Sequence, residues 1–216
     1  MKKYETLVFD VDGTLIDTET VNQLALQKVL LDELGREHTL AELAAVCGIP
    51  GTRGLTLLGV EDAEGIMEKW IDNVKFWRDK IALYPGIEAV VRMAAERGVT
   101  LGIVTSRTKT QLAAEPLVTH LVKQIPYVIC ADDTVKHKPN PDPLLKFLAL
   151  SGANAATALY IGDTVHDLSC AKEAGVDFAL ALWGTMTKDL LGPDYRLEKP
   201  SDILTLLKPL ETQMAR

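Results

Sequence analysis

The sequence predicts an α/β fold in which a parallel β-sheet carries a separate helical insertion. Short apolar runs of β-forming residues recur along the chain, and helix-like segments separate most of them. Such alternation is typical of βαβ units, whose strands run parallel in one sheet. The stretch between the first run and Pro85 breaks the pattern, because about 65 residues pass there without a clear strand.

The predicted strands are apolar runs that end at polar or glycine-containing turns, as buried parallel strands do. The first run covers residues 6–10, and four more follow at 100–105, 127–130, 158–163 and 177–181. Helical spacing of apolar residues predicts three helices that each precede the next strand. They start near Pro85, Pro141 and Val165 and end near Gly98, Gly152 and Gly175.

The insertion is predicted to be a helical domain of residues 18–83, which leaves residues 1–17 and 84–216 for the sheet domain. Helical stretches are expected at 18–34, 40–47 and 62–81. A segment of this length is too long for a loop, so it should build its own core. We expect that core to contain Leu24, Leu31, Leu43, Met67, Trp70, Ile71, Val74 and Trp77.

Composition and charge exclude several classes of partner. The formal net charge of -7 gives no long-range attraction for nucleic acid or anionic lipid. The apolar run behind the N-terminal lysines ends at Asp10, which is too short for a signal peptide or a membrane span. Cys47, Cys130 and Cys170 are widely spaced and odd in number, as expected for reduced thiols. We therefore expect a cytoplasmic protein that binds neither nucleic acid nor membranes. A monomer is compatible with the sequence, which leaves the oligomeric state open.

Polar residues occur where a parallel sheet holds its ligands, at or just beyond the carboxyl ends of strands. Each alone could be a helix cap or a turn residue. Several carboxylates at one edge would repel one another without a cation, and oxygen ligands favour Mg²⁺. Mg²⁺ with a lysine and a hydroxyl group suits the transfer of a phosphoryl group, which predicts a small phosphorylated substrate. The residues are Asp10, Asp12, Thr105, Lys138, Asp163 and Asp167.

Four motifs, in order, carry a resemblance to a known family. They are DVDGTL at 10–15, Thr105-Ser106-Arg107, KPNPDP at 138–143 and GDTVHD at 162–167. Together they resemble the haloacid dehalogenase superfamily, in the phosphoglycolate phosphatase-like and β-phosphoglucomutase-like branch. The resemblance covers nearly the whole chain, and it implies a Rossmann-like catalytic core with an inserted α-helical cap.

The resemblance also implies chemical roles. Asp10 would attack phosphorus to form an aspartyl phosphate, while Asp12 would protonate the leaving group and then activate water. Thr105 would hydrogen-bond the phosphoryl group, and Lys138 would neutralise charge. Residues two apart beyond a strand can face the same side, so Asp10 and Asp12 can address one phosphate while Val11 points into the core.

By the same resemblance, Mg²⁺ is the cofactor. Asp10 and Asp163 would bind the ion through their carboxylates, and Asp12 would add its backbone carbonyl. Asp167 would support the metal's waters or Lys138.

The cap would close over the substrate through hinges near residues 17–18 and 83–84. Its loop at 48–54 (GIPGTRG) is expected to set specificity. Within that loop, Arg53 is a candidate for clamping a carboxylate or a second phosphate. Ser106 is expected to help bind the substrate.

Other functions are weighed by the same motifs. A signalling receiver shares the acidic pocket, but its motif order differs. A haloalkanoate dehalogenase lacks a counterpart of Asp12, and a silent binding protein should have lost a motif residue. A sugar-phosphate mutase commonly has a histidine where Asn22 stands. We therefore expect hydrolysis of a small phosphate monoester, with phosphoglycolate, a sugar phosphate, a nucleotide monophosphate or pyrophosphate open as substrate.

Overall fold

The computed structural model describes residues 2–47 and 51–208. The strands of the described residues are β1 (Thr6–Phe9), β2 (Ile16–Asp17), β3 (Ala82–Leu83), β4 (Thr100–Val104), β5 (Tyr127–Ile129), β6 (Ala158–Gly162), β7 (Asp177–Ala181) and β8 (Tyr195–Leu197). The α-helices are α1 (Glu19–Leu34), α2 (Leu40–Cys47), α3 (Gly51–Leu57), α4 (Ala63–Val74), α5 (Ile87–Glu96), α6 (Lys109–Ala113), α7 (Pro116–Val122), α8 (Asp142–Ser151) and α9 (Val165–Glu173). Short 3₁₀ helices lie at Lys75–Lys80, Ala131–Asp133, Ala155–Thr157 and Pro200–Thr205.

Six of the strands form one parallel sheet in the order β5-β4-β1-β6-β7-β8. The chain builds outward from β1 to β4 and β5 and then returns to add β6 on the other side. Phe9 pairs with Ile103 on one side and Ile161 on the other, so β1, β4 and β6 end at the same edge. In such sheets, ligands bind at the carboxyl edge where the strand order reverses, which places the expected site directly after β1.

The core lies on both faces of this sheet because alternate strand residues point to opposite sides. In β1, Leu7 and Phe9 belong to one buried cluster, with α5, α6 and α7. Val8 belongs to the other cluster, with α8 and α9. Helices on both faces explain why the strands are almost continuously apolar.

The predicted α/β fold is confirmed, and all five predicted strands are present. The prediction missed β8 and the pair of two-residue strands β2 and β3. That pair is antiparallel, with Ile16 opposite Leu83, and it joins the two chain segments that link the sheet to the helical insertion. β2 and β3 have only two residues each, and β8 is interrupted by the charged Arg196, so none of them shows the apolar run that marks the predicted strands.

The insertion between β2 and β3 has its own apolar cluster, but two of the expected core residues are exposed. Leu31 is 46% exposed and Ile71 is 60% exposed, so their assignment to the core was wrong. Helix α1 instead buries Leu26 and Leu30, and each residue is rotated by about 100° from the next, which turns Leu31 to solvent. The buried members are Ala25, Leu26, Val29, Leu30, Leu43, Val46, Leu55, Val60, Ile66 and Trp70.

Cys130 and Cys170 are free and buried, as expected for reduced thiols. The side chain of Cys47 lies outside the described part of the chain. Among the described residues, no helix combines the length and apolar character that crossing a membrane requires.

A prediction concerns the packing of α8 on the sheet. A Cβ atom added at Gly102 in β4 would lie 2.1 Å from Cε2 of Phe147. Gly102→Ala should therefore destabilise the fold by about 1–3 kcal/mol through overpacking. Urea unfolding would measure this change. Phe147→Leu should relieve the clash. The double variant should therefore lose about 1 kcal/mol less free energy of unfolding than the two single variants lose together. Additive losses would show that the two side chains do not compete for space.

Candidate active site

The centre of the site is the turn that follows β1. The backbone N–H of Asp10 donates to the carbonyl oxygen of Ile161 at 2.9 Å, which continues the pairing of β1 with β6. The Asp10 residue is 6% exposed, and the next side chain, Val11, is buried as predicted. Gly13 has a φ of 73°, and a Cβ atom there would lie 2.2 Å from Oδ2 of Asp163. Glycine thus lets this turn approach the end of β6.

Lys138 connects two carboxylates at this edge. Its Nζ donates to Oδ1 of Asp10 at 2.8 Å and to Oδ1 of Asp167 at 2.7 Å. The Lys138 side chain is only 6% exposed. The Tyr160 hydroxyl lies 3.3 Å from the same Nζ and 2.9 Å from Oδ1 of Asp167. Sequence reasoning missed Tyr160, because a tyrosine inside an apolar strand is indistinguishable from a core residue.

Asp167 is fixed by the first turn of α9 as well as by Lys138. Thr164 caps this helix, and its backbone N–H and its Oγ1 both donate to Oδ2 of Asp167, at 3.1 Å and 2.6 Å. The backbone N–H of Asp167 donates to Thr164 Oγ1 in return, at 3.2 Å. This reciprocal capping box uses one oxygen of Asp167 and leaves the other for Lys138 and Tyr160.

Asp163, which directly follows β6, is held by the loops around it. Thr14 Oγ1 donates to Oδ1 of Asp163 at 3.3 Å, and Thr185 Oγ1 donates to its carbonyl oxygen at 2.5 Å. The loop after β7 approaches closely, since a Cβ atom at Gly184 would lie 1.7 Å from the carbonyl oxygen of Gly13. The position of Asp163 at the end of β6 therefore depends on the loops after β1 and β7.

Burial and crowding of these charges shift their pKa values. Burial raises the pKa of Asp10 to about 7, assisted by the charges of Asp167 and Asp12 and opposed by Lys138. Burial, with the charges of Asp167 and Asp10, also raises the pKa of Asp163 well above its usual range. For Asp167, burial is outweighed by Lys138 and the hydrogen bonds from Thr164 and Tyr160, so its pKa is lowered.

The donor set fits a hard divalent cation. Carboxylate oxygens of Asp10, Asp163 and Asp167 all lie within 4.8 Å of one another. Lys138 balances one of these charges and has its own pKa raised, because Asp10 and Asp167 together outweigh the effect of burial. The remaining repulsion is what a cation with oxygen ligands would relieve.

Asp12 has a partner that the sequence analysis did not assign. Arg107 Nε donates to Oδ2 of Asp12 at 2.8 Å, and its Nη2 donates to Oδ1 at 2.6 Å. Burial works against the charge of Arg107, but Asp12 and Glu115 outweigh it and raise the pKa of Arg107. The motif Thr105-Ser106-Arg107 contained this residue, yet nothing in the spacing indicated that its side chain reaches back to the turn after β1.

The other predicted site residues differ in how close they come to the cluster. Thr105 is buried, and its Oγ1 accepts from the backbone N–H of Arg107 at 3.1 Å. Ser106 is exposed and lines a cavity of about 270 Å³ together with Asp10, Asp12, Lys138, Asp163 and, from the insertion, Thr18, Glu19 and Asn22. Arg53 is exposed on α3 and does not line that cavity. Residues 48–50 of the expected specificity loop lie outside the described part of the chain.

Known proteins share this sequence pattern and fold. Residues 7–181 match the family model described as haloacid dehalogenase-like hydrolase. A phosphoglycolate phosphatase from Aquifex aeolicus is 30% identical over 208 residues, which cover 93% of this chain and 95% of that protein. The pyrophosphatase PpaX of Anoxybacillus flavithermus is 29% identical, over 94% of this chain and 96% of that protein. A solved structure from Lactobacillus plantarum, provisionally named a phosphoglycolate phosphatase, is 32% identical with a TM-score of 0.78, over 95% of this chain and all of that one.

The chain therefore belongs to the haloacid dehalogenase-like hydrolase family. The match confirms the predicted family, and the similarity to the solved structure confirms the predicted fold. The enzyme class is confirmed because the relatives are named phosphatases and pyrophosphatases.

A prediction follows from the raised pKa values. The pKa of Asp10 is about 7 in the folded protein against an ordinary 3.8, so its contribution to stability is full below pH 4 and lost as pH rises through 7. With a chelator present, the melting temperature should fall between pH 5 and pH 8. Saturating Mg²⁺ should raise it by about 5 °C or more at pH 8 and by less at pH 5.

Two variants make this measurement specific. Asp163→Asn should lose the Mg²⁺-induced rise, whereas Asp132→Asn should keep it, because Asp132 belongs to a separate acidic group with Cys130 and Asp133. An equal rise in both variants would place the cation elsewhere.

Proposed function

We propose that this protein hydrolyses a small phosphate monoester, with Mg²⁺ as cofactor, through an aspartyl phosphate formed on Asp10. The observation that carries the proposal is the buried contact of Lys138 with Asp10, 2.8 Å long, at the sheet edge where ligands bind. A lysine in that position can neutralise an incoming phosphoryl group while it orients the nucleophile. The names of the relatives support a phosphorylated metabolite as substrate.

Asp10 and Asp163 are the residues that we propose to hold Mg²⁺, with the backbone carbonyl of Asp12. Asp167 lies nearby, but its oxygens already accept hydrogen bonds from Lys138, Tyr160 and Thr164. We therefore assign Asp167 the role of positioning Lys138. When bound, Mg²⁺ supplies positive charge that offsets both the carboxylates and the phosphate.

In the first half of the reaction, an oxygen of Asp10 attacks phosphorus, and the bond from phosphorus to the leaving-group oxygen breaks. In its protonated form, Asp12 gives its proton to that oxygen as it departs, which leaves the carboxylate to act as base in the second half. Because Asp12 now directs both oxygens at Arg107, it must exchange at least one of these hydrogen bonds for the leaving group.

In the second half, water attacks the phosphorus of the aspartyl phosphate. Asp12 takes a proton from the water, the bond between Asp10 and phosphorus breaks, and inorganic phosphate leaves. Lys138 lies beside the negative charge of the transferring phosphoryl group in both halves. Ser106 places a hydroxyl group in the cavity wall.

The helical insertion is proposed to act as a cap, with residues 18–83 moving relative to 1–17 and 84–216. Thr18 and Asn22 already line the cavity that contains Asp10. The strands β2 and β3 lie at the expected hinges. Closure would exclude water from the phosphoryl group before attack.

A phosphomutase is the alternative that shares this core. Trp70 Nε1 donates to the carbonyl oxygen of Asn22 at 2.8 Å, which fixes the backbone of that residue at the cavity. The amide side chain of Asn22 cannot act as the general base that a histidine would supply there. Hydrolysis is therefore the favoured outcome.

One test separates the two aspartates. Asp10→Asn should abolish turnover of every ester, because an amide oxygen is a poor nucleophile. Asp12→Ala should slow alkyl phosphates by roughly a hundredfold or more, since an alkoxide needs a proton to leave. With a nitrophenyl ester, which needs little such help, the Asp12 variant should accumulate phosphoenzyme. Rapid quench with intact mass spectrometry would detect it, and its absence with equal loss on both esters would contradict the acid–base role.

A second test uses two lysines of one loop. Lys138→Ala should lower kcat by at least about a hundredfold, because the phosphoryl group loses a buried positive charge. Lys136 is exposed, so Lys136→Ala should stay within about twofold. Steady-state kinetics with Mg²⁺, on variants first checked by circular dichroism, would decide. Equal losses would mean that the Asp10–Lys138 contact serves folding rather than catalysis.

A further inference from the structure

A second cavity adjoins the proposed phosphoryl site. It has a volume of about 480 Å³ and lies between the insertion and the sheet domain. Asp12 and Ser106 line both this cavity and the smaller one that contains Asp10 and Lys138. A substrate with its phosphoryl group at Asp10 would therefore extend past Asp12 into the second cavity, which is the direction of the leaving group.

The charges around this second cavity are mainly positive. Lys75 and Arg78, from the 3₁₀ helix after α4, line it together with Arg107. Arg107 is paired with Asp12, so these two charges largely cancel.

The two cations of the insertion are less compensated. Lys75 has an exposed partner, Asp72, at 3.6 Å, and such surface pairs contribute little. Arg78 is exposed and makes no ion pair within the part of the chain that the structure describes.

We propose that Lys75, Arg78 and Arg107 form a subsite for a negatively charged leaving group, either a carboxylate or a second phosphate. The inference rests on the proposed function and names its substrate class. Gln111 and Ser106 line the same cavity and can add neutral hydrogen-bond donors. Ile71 and Val74 provide an apolar wall that suits a short carbon chain.

This subsite also connects substrate recognition with the chemistry of Asp12. Arg107 uses Nε and Nη2 on Asp12, while its Nη1 lies 3.9 Å from Glu115. An anion in the cavity would compete with Asp12 for the guanidinium group. The competition frees an oxygen of Asp12 for the leaving group, so esters with an anionic leaving group should be favoured over neutral ones.

The position of this subsite differs from the one expected from sequence. Arg53 was the candidate for clamping an anion, but it lines neither of the two cavities that include Asp12. The residues that line the cavity come instead from the end of α4, the 3₁₀ helix behind it and the segment after β4.

The experiment compares phosphorylated substrates that differ in leaving-group charge, with Mg²⁺ present. Phosphoglycolate supplies a carboxylate, pyrophosphate supplies a phosphate, and glycerol 3-phosphate has a neutral leaving group. The wild-type protein should prefer at least one anionic substrate in kcat/KM. In the double variant Lys75→Gln/Arg78→Gln, that preference should fall by roughly tenfold or more, as expected for loss of charge-assisted hydrogen bonds. Whichever anionic substrate is preferred identifies the leaving-group anion.

A charge-matched control is Lys80→Gln/Arg92→Gln, which removes one lysine and one arginine that line neither cavity. It should retain the wild-type preference. An equal loss in this control, no preference in the wild type, or a loss caused by Arg53→Gln instead would each overturn the inference.

Equilibrium binding distinguishes failure of this inference from failure of the proposed function. Phosphonoacetate carries a carboxylate and cannot be hydrolysed as an ester, whereas ethylphosphonate lacks the carboxylate. By calorimetry, the wild type should bind phosphonoacetate roughly tenfold more tightly, and the Lys75→Gln/Arg78→Gln variant should lose the difference. If no ester is hydrolysed but this difference is found, the subsite stands and the proposed reaction fails. Hydrolysis without it refutes the subsite alone.

Discussion

The site depends on one buried cation, the ammonium group of Lys138, held between two carboxylates. The Lys138 side chain is only 6% exposed, so its charge would destabilise the fold if it had no partner. Its Nζ lies 2.8 Å from Oδ1 of Asp10 and 2.7 Å from Oδ1 of Asp167, and these ion pairs offset the loss of hydration. Asp10 follows β1, Asp167 lies in the first turn of α9, and Lys138 lies in the loop between β5 and α8. One ionic contact thus joins three parts of the fold at the edge where the strand order reverses. Removing Lys138 would leave the two buried carboxylates without a compensating charge.

Neighbouring residues of the site hold the ion pairs of Lys138 with Asp10 and Asp167 in a fixed position. Tyr160 fixes Lys138 and Asp167 from within β6, and Thr164 fixes Asp167 through a helix cap. Gly13 and Gly184 have no side chains at the points where the loops meet, because a Cβ atom at either would collide with its neighbour. A nucleophile needs rigid surroundings, because a small displacement of the nucleophile from its reactive position lowers the rate steeply.

The sequence allowed the sheet and the polar residues at its edge to be predicted, because both follow local rules. Strands buried on both faces leave continuous apolar runs, and carboxylates after parallel strands must meet at one edge. What it could not reveal were contacts set by tertiary packing. Tyr160 resembles a core residue in its strand, and Arg107 reaches Asp12 across a separation of 95 residues. Leu31 was assigned to the wrong side of α1 because a one-residue error rotates a helix by about 100°.

Burial also separates catalysis from specificity. The Asp10–Lys138–Asp167 group is enclosed, so a substitution there disturbs paired charges and packing together. Lys75 and Arg78 are exposed and lie on the insertion, where a changed side chain costs little stability.

Asp12 lies between the two sets, with a side chain that is 41% exposed and shared by both cavities. Because its partner Arg107 belongs to the sheet domain and the other cations to the insertion, a leaving group can contact both only while the two parts are together. Under the proposed mechanism, binding of the leaving group and release of Asp12 for proton transfer therefore depend on the same closure.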